Sequence, residues 1–330
     1  MQIGYAAMLE QFDPQTAIAA AAAAERHGFR GVMASDHFQP WLSRHRASSH
    51  VWTVLGALGA HTNYDLGPGV TTPSFRMHPA VVAQAAATLA ALYPERAWLG
   101  VGSGEAINEH ITGQYWPEPP ERIDRMFEAI DIVRKLFNAS LAGRDVRHRG
   151  EHFRMESTRL WTMPPTAPPI YVATAGPVTA RRAGRVADGL ITTGGTSERL
   201  APLIERFFEG ARDSGRDGSR MPRIVQLQLA WAPTEEQAMA AAMNEWPLAG
   251  LRARRGDVRS PFDMDQLVRT VTPEHVASGM VVSADPDRHR AEIQRYVDLG
   301  FDRIYLHNVA ADQQEWLEVF GRDVLPKVVA

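Results

Sequence analysis

Asp36, His37 and Trp41 stand within six residues, in the run Ala34-Ser-Asp-His-Phe-Gln-Pro-Trp41. A carboxylate, an imidazole and an indole at this spacing can set a proton acceptor against a flat ring, because imidazole exchanges protons near neutral pH. The same run also reads as a polar turn before a loop. A second run, Gly100-Val-Gly-Ser-Gly-Glu-Ala-Ile-Asn-Glu109, places Glu105 and Asn108 behind three glycines. Glycines permit close backbone approach to a ligand, though a tight strand-to-helix turn needs them equally. In Gly67-Pro-Gly-Val-Thr-Thr-Pro73, Gly69-Val70 precede two hydroxyls, Thr71 and Thr72. In Tyr171-Val-Ala-Thr-Ala-Gly-Pro177 a small-residue turn leads into a helix bearing Arg181 and Arg182. Free N–H groups at such a helix start suit a phosphate, and an ordinary capped turn is the other reading.

These groups need a scaffold that gathers them. Each follows a short apolar run, and short runs alternate with alanine-rich or amphipathic stretches along the chain. Strands are expected at 3–7, 31–34, 65–71, 97–101, 169–173, 189–192, 224–231 and 303–307. Helices are expected at 14–27, 51–62, 79–92, 120–137, 177–186, 197–214, 235–246, 286–299 and 313–320, several opening with proline. Eight strands alternating with helices predict an α/β fold, a (β/α)8 TIM barrel over residues 1–330. A doubly wound sheet is disfavoured, since Met8-Leu9-Glu10-Gln11-Phe12 replaces the glycine-rich turn after the first strand. Residues 138–168 and 247–282 break the rhythm and read as insertions on one barrel, the second without a clear strand. In a barrel, the chemical groups collect at the carboxyl ends of the strands.

Bulk properties narrow the function. The 330 residues carry a net charge of -3, which argues against nucleic acid as a partner. Cysteine is absent, so disulfides, thiolate catalysis and cysteine-ligated metal are excluded, and no metal is expected. No secretory signal or membrane span is read, so a cytoplasmic location is expected.

Taken together, the motifs resemble the deazaflavin-dependent branch of the luciferase-like monooxygenase superfamily. Within it the chain is similar to the coenzyme F420-dependent glucose-6-phosphate dehydrogenases and their relatives. The carriers are Glu10-Gln-Phe12, Ser35–Trp41, Thr72-Pro-Ser-Phe-Arg76, His78–Gln84, Leu99–Glu109, Ala175-Gly-Pro177 and Asp188-Gly189, in family order. The resemblance implies a TIM barrel, a homodimer, and coenzyme F420 at the strand ends. It implies that Asp36 contacts the cofactor and that Gly69–Val70 form a non-prolyl cis peptide against the ring. Thr72, Ser103, Gly104 and Asn108 would line the cofactor, and Ala175, Gly176 and Pro177 would cradle its phosphate. His37 would be the base for an alcohol that loses hydride. Glu105 would hold or share a proton beside the ring, Trp41 would steady charge, and Glu10 would lie near the substrate.

The resemblance weakens at the substrate phosphate, which the family holds with two lysines, an arginine and a threonine. Thr193 keeps the threonine, Thr196 replaces one lysine, Gly279 replaces the arginine, and Arg255 falls near the second lysine. Two lost charge-assisted contacts, at roughly 1.5–3 kcal/mol each, remove at least two orders of magnitude in affinity. The expected substrate is therefore a secondary alcohol or hemiacetal, or the matching carbonyl, and not glucose 6-phosphate. Arg252, Arg254, Arg255 and Arg259 read as a new anion site, as a grip on the cofactor's acidic tail, or as the solvated face of a mobile insertion. An FMN-dependent monooxygenase and a non-catalytic deazaflavin-binding barrel are the alternative functions.

Overall fold

The computed structural model describes residues 1–253 and 255–329. The first half runs β1 (Gln2–Ala7), α1 (Pro14–Arg26), β2 (Gly31–Ala34), α2 (Val51–His61), β3 (Asp65–Pro68), α3 (Pro79–Leu92), β4 (Leu99–Val101), α4 (Ala106–Glu109) and α5 (Pro119–Leu141). A hairpin follows, β5 (Val146–Arg149) and β6 (Arg154–Thr158), then β7 (Ile170–Ala173), α6 (Pro177–Val186), β8 (Gly189–Thr193) and α7 (Ser197–Asp213). The remainder is β9 (Arg223–Ala230), α8 (Glu235–Glu245), α9 (Pro261–Leu267), α10 (Pro273–Gly279), β10 (Val281–Val282), α11 (Pro286–Asp298), β11 (Arg303–Asn308) and α12 (Gln314–Val319).

The barrel strands are short apolar runs buried almost throughout, as a parallel sheet covered by helices requires. Eight of them pair in parallel in the order β3-β2-β1-β11-β9-β8-β7-β4. Single bridges from Leu66 to Ala97 and from Thr71 to Val101 join β3 to β4 and close the ring. Helix starts are fixed locally. Pro14 and Pro286 open α1 and α11 at a position whose N–H needs no partner, and Asp13 and Asp285 cap them. Aromatic rings fill the lower barrel, with Trp98 5.6 Å from Tyr171 and 6.0 Å from Tyr305. Beneath them Asp65 accepts from the Tyr305 hydroxyl at 3.0 Å and pairs with Arg303 at 2.9 Å. These groups plug the lower barrel, and the cleft that borders the sequence-predicted groups opens at the carboxyl ends of the strands. Among the described residues, no helix is long and apolar enough to cross a membrane.

Three expectations need correction. The third strand ends at Pro68, not Thr71, and a cis peptide follows between Gly69 and Val70. The first insertion contains the antiparallel hairpin β5–β6. Its strands bury only His148 and Met155, so a charged sequence hides their period of two. The second insertion does contain a strand, since Val281 and Val282 pair in parallel with β9.

Candidate active site

A cleft of about 310 Å3 opens at the strand ends. β1 leads into Met8 and Glu10, and β2 into Ser35, Asp36, His37 and Trp41. Past β3 lie Gly69, Val70 and Thr72, and past β4 lie Ser103, Gly104, Glu105 and Asn108. Ala175 follows β7, Ile191, Thr192 and Thr193 belong to β8, and β9 offers Gln226 and Gln228. Trp246 and Arg255 enter from the segment after α8.

His37 is held by its own backbone. The Ser48 hydroxyl donates to its carbonyl at 2.8 Å. The next two N–H groups, of Phe38 and Gln39, donate to Asn108 Oδ1 at 3.0 and 3.4 Å. Nδ1 of His37 lies 3.2 Å from the Gln39 carbonyl. A carbonyl only accepts, so Nδ1 carries the proton and Nε2 presents its lone pair. The imidazole sits 5.0 Å from the Trp41 ring at 58°. The Arg255 guanidinium lies 5.3 Å from that indole's centre. Burial raises the Glu105 carboxyl above its ordinary range, against the pull of His37 and Arg255.

Behind these groups runs a buried ion network. Asp36 accepts from Thr71 at 2.7 Å with one oxygen and pairs with Arg76 at 3.2 Å with the other. Arg76 also binds Glu109, through its Nε at 2.9 Å and its backbone N–H at 3.1 Å. Burial raises the Glu109 carboxyl, and Arg76 opposes this. Glu10 is fully buried. Its Oε2 accepts from the Ser35 hydroxyl, which itself accepts from the Leu9 N–H at 2.8 Å. Among the described residues, Oε1 of Glu10 and the hydroxyl of Thr192 have no hydrogen-bond partner.

The expected residues of the first four strand ends all line this cleft, as do Ala175, Thr193 and Arg255. Gly176 and Pro177 stand one step back, as N-cap and first residue of α6. Thr196 does not reach the cleft; it is exposed and precedes α7. Arg181 and Arg182 belong to the outer surface, paired with Asp213 and Asp124. Gly279 is locked in packing, because a Cβ there would lie 2.0 Å from the Ala249 carbonyl oxygen. The basic loop is more than a solvated face. Its Gly256 carbonyl accepts from the Ala106 N–H at 2.9 Å, and Asp257 accepts from Trp116 at 3.0 Å and Arg122 at 3.3 Å. That anchoring turns Arg255 inward, whereas Arg252 and Arg259 are exposed; Arg254 lies outside the described residues. Arg76, Glu109, Gln226, Gln228 and Trp246 were missed. Polar residues two apart within the apolar β9 were a usable signal for the two glutamines.

Residues 1–303 match the family model of luciferase-like monooxygenases. The chain is 37% identical to an F420-dependent glucose-6-phosphate dehydrogenase of Microbacterium testaceum (strain StLB037), over 99% of this chain and 97% of that one. It is 37% identical to the enzyme of the same name from Mycobacterium avium (strain 104), over 99% and 98%. Among solved structures, an F420-dependent secondary alcohol dehydrogenase in complex with an F420-acetone adduct superposes with a TM-score of 0.93 at 31% identity, covering 100% of this chain and 99% of that one. At 19% identity, an F420-dependent tetrahydromethanopterin reductase from Methanopyrus kandleri shares the fold with a TM-score of 0.80. The strand-end cleft, the full-length likeness and the matched model agree: this chain belongs to the luciferase-like monooxygenase family, alongside its F420-dependent dehydrogenases.

Proposed function

We propose that the protein is an F420-dependent oxidoreductase that moves a hydride between a CH–OH carbon and the deazaflavin. The observation that carries this reading is His37 lining the cleft beside Trp41, with Nδ1 engaged by the Gln39 carbonyl so that Nε2 is the nitrogen left to accept a proton.

The residues fit the cofactor. Gly104 has φ +85°, and a Cβ there would meet Thr72 Cγ2 at 2.9 Å, so main chain alone forms this wall. At α6 the N-cap Gly176 leaves the first turn without a side-chain cap, and no atom lies within 4 Å of where its Cβ would be. Those N–H groups suit the cofactor's phosphate. Gly69, Val70, Thr72, Ser103, Gly104 and Asn108 would hold the ring region. Asp36 would act through Thr71 and Arg76, which occupy both of its oxygens. Bound F420 supplies the hydride acceptor; the protein supplies position and proton handling.

His37 Nε2 accepts the hydroxyl proton as the carbinol carbon gives up its hydride. The Trp41 indole packs beside that imidazole, 5.0 Å between ring centres. Glu105, its carboxyl raised by burial, holds a proton closer to neutral pH than an exposed glutamate does. The family likeness also points to a cytoplasmic homodimer, which mass determination in solution tests.

The decisive experiment is anaerobic. Oxidised F420 is added to the protein, binding is read by fluorescence, and a panel of alcohols is then added. Reversible bleaching of the deazaflavin absorbance is expected, and it should be lost in His37→Ala. F420 binding with no bleaching by any alcohol would sink the reading.

A further inference from the structure

We infer that the substrate is an unphosphorylated diol or polyol, with one hydroxyl oxidised at His37 and a neighbouring hydroxyl donating to Glu10. This rests on the F420-dependent reading above.

Glu10 is fully buried and borders the cleft, with Oε2 committed to Ser35 and Oε1 left without a partner among the described residues. Thr192, three strands away round the ring, borders the same cleft with a buried hydroxyl in the same condition. A buried acceptor left unpaired is costly, so a site built this way favours a ligand that completes it. A carboxyl oxygen accepts hydrogen bonds, so the unpartnered Oε1 of Glu10 fits an O–H donor. A simple secondary alcohol has one hydroxyl, and His37 takes it. Only a second hydroxyl on the same molecule serves both groups.

Phosphate is disfavoured on independent grounds. Among the described residues, Arg255 is the one lysine or arginine bordering the cleft, and it lies over the Trp41 ring. Thr196 lies off the cleft, and Gly279 has no room for a side chain. One cation does not balance a phosphate dianion in a cleft that also holds Glu10 and Glu105.

The chemistry balances. The carbinol C–H leaves as hydride to oxidised F420, the O–H proton passes to His37 Nε2, and the product is a hydroxy-ketone or, from a hemiacetal, a lactone.

The test compares kcat/KM with F420 for matched pairs: 2,3-butanediol against 2-butanol, and glucose against glucose 6-phosphate. The diol should exceed the mono-alcohol by about tenfold, within the usual range for one completed buried hydrogen bond. Glucose 6-phosphate should not exceed glucose. In Glu10→Met, which keeps the length but removes both acceptor oxygens, the diol-to-alcohol ratio should fall toward one. Thr192→Val, which keeps the volume, should lower the same ratio and serves if the first variant does not fold. Equal rates for diol and mono-alcohol, a preference for the phosphate, or a ratio that survives both substitutions would overturn the inference while leaving the F420 reading intact. F420 binding without bleaching by any alcohol overturns both.

Discussion

Nε of Arg76 lies 2.9 Å from Oε1 of Glu109 in a buried pair, and the same guanidinium reaches Asp36. Asp36 adjoins His37, and Glu109 lies one helical turn after Glu105. One arginine therefore ties together the two segments that carry the proton-handling groups. Arg76→Gln strands two buried carboxylates, which costs about 3–5 kcal/mol by the usual effect of breaking a buried pair. Thermal unfolding should show a fall in Tm of several degrees. Arg76→Lys should recover part of that stability but less of kcat, because an ammonium does not reproduce the fork. Equal recovery of both would argue against a positioning role.

His37 is the group whose loss should be felt in chemistry rather than in binding. His37→Gln should lower kcat by about 10²–10⁴-fold, the usual weight of a general base. F420 affinity, read by fluorescence quenching, should stay within a few-fold of wild type. A comparable loss in affinity would move His37 from base to cofactor contact.

Glu105 sets a pH limb. Burial raises its carboxyl, and Arg255 is among the groups that pull it back. Arg255→Met removes that pull, so the carboxyl rises further and the protonated form persists to higher pH. The alkaline limb of kcat in the oxidative direction should therefore move to higher pH. Glu105→Gln, unable to titrate, should abolish that limb and lower kcat. An unmoved limb in Arg255→Met would show that another group sets it.

Two buried histidines make stability fall in acid. Burial lowers His289 to about 4 and His307 to about 3. Each is neutral in the folded chain and free to protonate near its ordinary value once unfolded. The unfolded state thus binds more protons below about pH 6.5, and stability declines as pH falls from there towards 4. For His289 the full effect is on the order of 3 kcal/mol. Its Nε2–H donates to the Ser283 carbonyl at 2.8 Å, so His289→Gln should flatten the acid dependence of Tm more than it lowers Tm at pH 8.

How much of this was legible follows from how far each interaction reaches along the chain. The eight strands could be read because each is a short apolar run that the ring buries from both sides. The β3 boundary could not, since apolarity continues through Val70 while the ladder stops at Pro68. The hairpin was hidden because Arg147, Arg149 and Arg154 outweigh its two buried residues. His37, Trp41, Glu105 and Asn108 were legible because glycines, proline and paired polar groups mark their loops locally. The bond from Arg76 to Asp36 spans 40 residues and that to Glu109 spans 33, and no local pattern announces such partners. Arg255 was placed in the right loop, but its inward turn depends on Ala106, Trp116 and Arg122, which are distant in sequence.

The contact of Gly279 with Ala249 constrains redesign. The obstructing atom is a main-chain oxygen, so no exchange of side chain at Ala249 removes it. A point change to arginine at 279 must displace α10 before its cation can reach anything. Converting this cleft to sugar-phosphate recognition is therefore a problem of loop grafting: residues 247–279 have to be re-laid as a unit, and libraries built from single substitutions would search the wrong space.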